Sequence, residues 1–315
     1  RIYDCSASPL PLPDDNESAS PGAPGPPGAL LVLRDVSELA NAVRVKTDFV
    51  ANASHELRTP IAAIRGAVET LQSGAGADPA VASRMHEIIG GHVQRLEDLV
   101  RDLLDLSRVE SGAIALRVEP LRLDLLARAI LDQFDAPCAA RGVRIALDLA
   151  PDLDGWRTDP RLLVLILRNL VENAAKFAYD NTQVRIVGRV EHTGHTGGGH
   201  ARFEVRDRGI GVPLSQQQRV FERFYQVDPA RPGQEQPGRG KRGTGLGLAI
   251  VRHAVKALGG RVGLQSVYTQ GTTVWFEIPF MPAPPADGSA DEWRGALEEE
   301  DARFIDEPDE PAPEN

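Results

Sequence analysis

Apolar residues stand seven apart from Val43 through Val50, Leu57 and Ile64 to Leu71, and Leu39, Lys46, Ala53 and Ala67 hold the companion positions. Pro60 is the one break in that stripe. A seven-residue repeat predicts a long α-helix with a seam that needs a cover. After the breaker Ser73–Pro79 (SGAGADP), a second seam runs Met85, Ile89, His92, Leu96, Leu99, Leu103 and Leu106, at alternating spacings of four and three. Two long helices joined so briefly predict an antiparallel hairpin. A single hairpin leaves its seam exposed, so a homodimer closing a four-helix bundle is the simplest solution.

Elsewhere the period changes. Residues 1–8 and Ala29–Asp35 read as two short strands around a Pro-, Gly-, Ser- and Asp-rich stretch, Pro9–Gly28. Two strands do not make a domain, so they read as the end of one. Beyond Gly112, strand patterns at Val143–Leu149, Gln183–Glu191, Ala201–Arg206, Gly263–Val267 and Thr272–Ile278 are interspersed with helical ones at Leu123–Arg141, Asp159–Phe177 and Leu246–Leu258. That mixture predicts an α/β sandwich with helices on one face of a sheet.

Charge is uneven. From Pro282 to Asn315 there are twelve Asp/Glu and two Arg, a balance of −10 that accounts for the whole net charge and leaves 33 of each sign in the rest. A neutral body disfavours nucleic acid as a partner, and the Pro- and acid-rich tail reads as disordered, with a short helix conceivable at Trp293–Phe304. Two cysteines, Cys5 and Cys138, exclude a disulfide scaffold and suit a reducing cytoplasmic compartment. No apolar run is long enough to span a bilayer, so any membrane anchor lies in a part of the protein outside this segment.

Several clusters carry chemistry. With Val50 and Leu57 in the seam, His55 falls on the outermost face of its helix, beside Glu56 and one turn before Thr59. A neutral imidazole is a usable nucleophile near pH 7, and a neighbouring carboxylate can take its second ring proton. The same pattern also fits a solvated surface histidine. Asn169, Asn173 and Lys176 share one helical stripe opposite Leu163, Ile166, Leu167 and Leu170. Neutral oxygen ligands and a lysine on one stripe suit a metal–phosphate group. Asp207-Arg-Gly209-Ile-Gly211 follows a strand, and Gly243-Thr244-Gly245-Leu246-Gly247 opens a helix, where free N–H groups attract anions. Two features stand apart. One is a long Pro232–Arg242 insertion, and the other is Glu191–His200 (EHTGHTGGGH), whose three histidines read as a surface loop before a metal site.

Taken together these motifs resemble those of two-component sensor histidine kinases. FVANASHELRTPIAAIRG is similar to the family's phosphoacceptor H box, LVENAAKF with Asn169 to its N box, DRGIGVP and GTGLGLAIV to its glycine boxes, VFERFYQVD to its F box, and Gly271-Thr272 to its late Gly-Thr pair. The helical entry is similar to the phosphate-regulon sensor type. The resemblance implies a helical-hairpin, four-helix-bundle dimerisation domain followed by a Bergerat-type α/β sandwich. The implied domains are a PAS-type remnant at 1–35, a dimerisation and phosphotransfer domain at 36–112, an ATP-binding domain at 113–282 and an acidic tail at 283–315.

It also implies roles. His55 would take phosphate from ATP, with Glu56 as general base and Thr59 orienting water for dephosphorylation of the partner. Asn173 would ligate Mg²⁺, with Asn169 and Lys176 on phosphates. Asp207 would bind the adenine amino group, and Gly209 and Gly211 would admit the nucleotide. Gly243, Thr244, Gly245, Leu246 and Gly247 would shape the ATP lid, with Arg223 on the γ-phosphate side and Thr272 nearby. The partner implied is the receiver domain of a response regulator. A competing reading is an ATP-gated conformational protein, since chaperone and topoisomerase ATPases share the nucleotide fold; a third is a phosphatase-biased or inactive sensor scaffold.

Overall fold

A computed structural model describes residues 3–9, 29–111, 115–193, 198–227 and 243–279. The chain forms two compact units, Arg1–Ile89 and Gly90–Asn315. The Pro232–Arg242 insertion, the 10–28 stretch and the tail with its conceivable helix lie outside the described residues.

In the first unit, β1 (Tyr3–Pro9) pairs antiparallel with β2 (Ala29–Asp35), with Tyr3 opposite Asp35 and Pro9 opposite Ala29. Leu30, Leu31, Val32 and Leu33 are all exposed, so both faces of this ribbon lack cover among the described residues. Helix α1 (Ser37–Gln72) is continuous through Pro60. The loop to α2 (Pro79–Glu110) holds a single 3₁₀ turn at Ala75–Ala77. In the seam of α1, Val43 and Val50 are 58% and 57% exposed. The uncovered part of the stripe is therefore its N-terminal half, whereas Ala67 further along it is buried.

The second unit begins inside α2 and is built on one sheet, ordered β4 (Arg144–Leu149), β6 (Gln183–Thr193), β7 (Gly198–Arg206), β9 (Gly271–Pro279) and β8 (Arg261–Val267). The two-residue strands β3 (Glu119–Pro120) and β5 (Arg157–Thr158) form a separate clip. Only β4–β6 is parallel, joined through helix α4 (Pro160–Phe177); the other pairs are antiparallel. A parallel βαβ crossover is therefore present, and neither glycine-rich turn lies in it.

Period-two alternation decides the faces. Ile186, Val205 and Val274 align across three strands, and Phe203 lies opposite Phe276 with their rings stacked at 5.1 Å. These side chains are buried. Against this inner face pack α4 and α6 (Gly247–Ala257), with α3 (Leu123–Ala139) on α4 and β4, while the one-turn α5 (Leu214–Gln217) lies by β8. On the reverse face, Asp148 pairs with Arg185 and Arg189, while Arg202 pairs with Glu204 and Glu277.

Helix α4 starts where the sequence signals it. Asp159 is the N-cap, its carboxylate accepting the Arg161 N–H at 3.0 Å, and Pro160 supplies the first turn. Phe203→Ala should cost about 3–5 kcal/mol of unfolding free energy. Arg185→Ala, on the solvated face, should stay within about 0.5 kcal/mol. Urea titration of both variants checks the assignment of the two faces.

Candidate functional site

In the first unit, His55 and Thr59 are exposed on α1 and Glu56 is half-buried. The Thr59 hydroxyl donates back to the His55 carbonyl at 3.3 Å, which fixes it one turn from the imidazole on the same face. Pro60 beyond it is buried.

In the second unit, α4 presents its polar stripe to the turn that opens α6. Asn169 is only 5% exposed; its Nδ2 donates to the Leu165 carbonyl at 2.8 Å, leaving Oδ1 toward Gly247. A side chain at Gly247 would lie 3.1 Å from that oxygen and 3.4 Å from Asn173 Nδ2. One at Gly243 would meet the Lys176 ammonium at 2.7 Å. Two glycines thus keep backbone open beside two amides and a lysine. Between them, Thr244 accepts the Leu246 N–H at 3.2 Å, and Leu246 is buried. Gly245 has φ +72°, and a Cβ there would press on the backbone of Phe224, itself at φ +59°. A left-handed phenylalanine is strained, so the 243–247 turn and the 220–227 segment hold each other in conformations costly to either.

The second pole lies where β7 ends. Asp207 N–H donates to the Thr272 carbonyl at 2.8 Å. Its Oδ1 is buried with no hydrogen-bond partner among the described residues. Burial pushes this carboxyl up to about 7, against a backbone hydrogen bond from Thr272. A buried oxygen with no partner is a cost unless a ligand satisfies it, and an amino group is the donor that suits it. A Cβ at Gly209 would sit 2.2 Å from the Phe177 carbonyl oxygen, and Gly211 is at φ +62° against the Val267 carbonyl. The residues present therefore fit a nucleotide. Asn169 Oδ1 and the Asn173 amide fit a hard cation of few protein ligands.

Arg223 is elsewhere engaged: its Nε donates to Glu110 of α2 at 2.7 Å. Sequence reasoning passed over this partner and the neighbouring Asp102 and Asp105. Their spacing along α2 was a visible signal, but an acidic helix face normally belongs to solvent. The histidine-rich segment is shorter than its sequence suggested, because β6 continues to Thr193 and β7 starts at Gly198. His200 Nε2 lies 3.1 Å from Glu191, and Glu277 completes a three-group cluster. Glu277 is already held by Arg202 and Arg261, and two guanidiniums make a poor neighbourhood for a cation.

Two family models match: the His Kinase A (phospho-acceptor) domain over residues 45–112, and the histidine kinase-, DNA gyrase B- and HSP90-like ATPase over residues 158–282. The sensor-like histidine kinase SenX3 of Mycolicibacterium smegmatis is 35% identical over 258 residues, covering 81% of this chain and 63% of its own. Sensor protein kinase WalK of Staphylococcus saprophyticus is 30% identical over 264 residues, 84% of this chain and 41% of WalK. The chain thus spans 41% to 63% of the length of these curated relatives. The solved complex of histidine kinase ThkA with response regulator protein TrrA has a TM-score of 0.59 at 21% identity, covering 81% of this chain and 71% of that one, which shows a shared fold.

A phosphoacceptor helix region followed by an ATPase module of this fold defines a class, and the match over residues 45–112 separates the chain from the gyrase- and HSP90-like ATPases. The chain belongs to the two-component sensor histidine kinases. No described helix is long and apolar enough to cross a membrane.

The Asp207 carboxyl binds its proton more tightly folded than unfolded, so between about pH 4 and about 7 the folded state holds the extra proton and stability falls as pH rises. Asp207→Asn should therefore melt above wild type at pH 8 and close to it near pH 3. An equal difference at both pH values would show that burial of the charge is not what matters there.

Proposed function

We propose that this chain is the kinase core of a sensor that phosphorylates His55 from ATP and passes the phosphoryl group to an aspartate on a response regulator's receiver domain. The observation that carries the reading is a solvent-facing imidazole beside a carboxylate in one unit and, in the other, a buried Asp207 carboxyl oxygen with no partner among the described residues. In the first step a neutral His55 ring nitrogen attacks the γ-phosphorus. The N–P bond forms, the P–O bond to ADP breaks, and Glu56 takes the other ring proton. In the second step the receiver carboxylate attacks phosphorus, the N–P bond breaks and an acyl phosphate forms. Thr59, one turn along, holds the water that hydrolyses this acyl phosphate.

The nucleotide is held by Asp207 at the adenine, with backbone approach at Gly209 and Gly211 and Thr272 alongside. Asn169, Lys176, Arg223 and the Gly243–Gly247 turn hold the phosphates. Asn173 would ligate Mg²⁺, which neutralises triphosphate charge when bound. The working unit is a homodimer through α1 and α2. Supporting this, Val43, Val50 and Ile61 on α1 and Val93, Val100 and Leu104 on α2 are exposed at helical spacings, more apolar surface than a helix hairpin normally leaves to water. Residues 36–112 form the dimerisation and phosphotransfer domain, 113–282 the catalytic domain, 1–35 the end of a PAS-type sensory domain and 283–315 an acidic tail.

His55→Gln should bind ATP as wild type does and incorporate no label from γ-labelled ATP; equal labelling would remove the assignment. Glu56→Ala should lose autophosphorylation first, whereas Thr59→Ala should keep it and lose dephosphorylation of the regulator. Matched losses in the two rates would show that these side chains do not divide the work. Val50→Glu with Val100→Glu should yield a nucleotide-binding monomer by light scattering, and a persistent dimer would place the interface elsewhere.

A further inference from the structure

The last three turns of α2 lie in the same unit as the ATP-binding module, and Leu99, Leu106 and Val109 on this end of the helix are buried. Asp98, Asp102 and Asp105 stand four and three residues apart and so share one helical face. Asp102 Oδ2 accepts the Thr244 hydroxyl at 2.6 Å. Asp105 Oδ2 accepts Arg168 Nη2 at 2.7 Å, with both side chains largely shielded from water. Glu110 accepts Arg223 Nε at 2.7 Å and faces His253 Nε2 at 3.4 Å.

Thr244 and Arg223 are two of the groups assigned above to the phosphates. The turn bearing Thr244 is the one whose glycines abut Lys176, Asn169 and Asn173. The carboxylate of Asp102 therefore lies beside the anion-binding pole of the site. Its burial there is unfavourable for the charge: desolvation pushes it up to about 6, the Thr244 hydrogen bond opposes this, and the nearby Glu172 charge adds to it. Glu172 is itself raised by burial and by Asp98. A triphosphate brought to the same place would add more negative charge to a half-buried acidic group.

We propose that the acidic face of α2 is an internal competitor of the nucleotide. Asp102 and Glu110 occupy the hydroxyl and the guanidinium that the phosphates take, so docking of α2 and tight binding of ATP exclude one another. The inference rests on the nucleotide site proposed above. By linkage, ATP loosens α2 by the factor by which α2 weakens ATP, so a loaded catalytic module is also a released one. Release is what a module needs if it is to carry a γ-phosphate to a histidine on α1.

The test is calorimetric titration of the full chain with AMPPNP and Mg²⁺, with thermal unfolding as a check that each variant folds. Asp102→Ala and Glu110→Ala should each tighten AMPPNP binding about threefold or more. Asp105→Ala and Arg168→Ala open the latch from either side without touching a group assigned to the nucleotide. Both should tighten binding by similar factors, and the double variant should add little to either. Affinities within twofold of wild type, or weaker, in all four single variants would overturn the competition while leaving the nucleotide site standing. If neither wild type nor Asp102→Ala bound AMPPNP at all, the nucleotide site itself would fall, and the competition with it.

Discussion

Helix α4 buries Leu163, Ile166, Leu167 and Leu170 against the sheet and α6, and that packing sets the direction of its next stripe. Because 3.6 residues complete a turn, Asn169, Asn173 and Lys176 have little freedom once the apolar stripe is seated. Asn169 is drawn far enough in to spend its amide on the Leu165 carbonyl, which leaves its oxygen as the group facing Gly247. The glycine turn can approach only because its residues carry no side chain. The geometry of this polar stripe thus follows from a hydrophobic contact on the neighbouring face of the helix.

Carboxylates form the second organising theme. Asp207 and Asp102 are both largely withdrawn from water, and burial pushes both above the usual carboxylate range. Their situations differ in one respect. Asp102 has a donor in Thr244, whereas Asp207 Oδ1 has none among the described residues. A protein tolerates a buried polar atom of that kind when something outside the fold satisfies it. The opposite face of the sheet shows the contrasting solution, in which Asp148, Glu204 and Glu277 are each matched by arginines and Arg202 stacks 4.5 Å over Trp275. There the charges are internally balanced, and little is left to attract a ligand.

The long helices divide their seams unequally. On α2, Leu99 and Leu106 are buried within the second unit, while Val43 and Val50 on α1 remain over half exposed. A heptad repeat states that a stripe seeks cover but does not say from where. Burial has taken up part of the α2 stripe, whereas the N-terminal half of the α1 stripe stays uncovered among the described residues.

Much was legible beforehand because it is local. The seven-residue period delimits α1 and α2, Asp159-Pro160 starts α4, and alternation locates the five strands of the sheet to within a few residues. The glycine turns and the Asn169–Asn173–Lys176 stripe were readable too, since their chemistry lies within a few residues of sequence. What only the tertiary structure decided is which buried faces meet. The parallel pairing of β4 with β6 is one case. Another is the pairing of Asp105 with Arg168 and Asp102 with Thr244, 63 and 142 residues apart. Periodicity reports that a face is hidden, because burial is set by each residue's own transfer free energy. The partner of that face is settled by the summed packing of the whole chain, and no local pattern in the sequence records that sum.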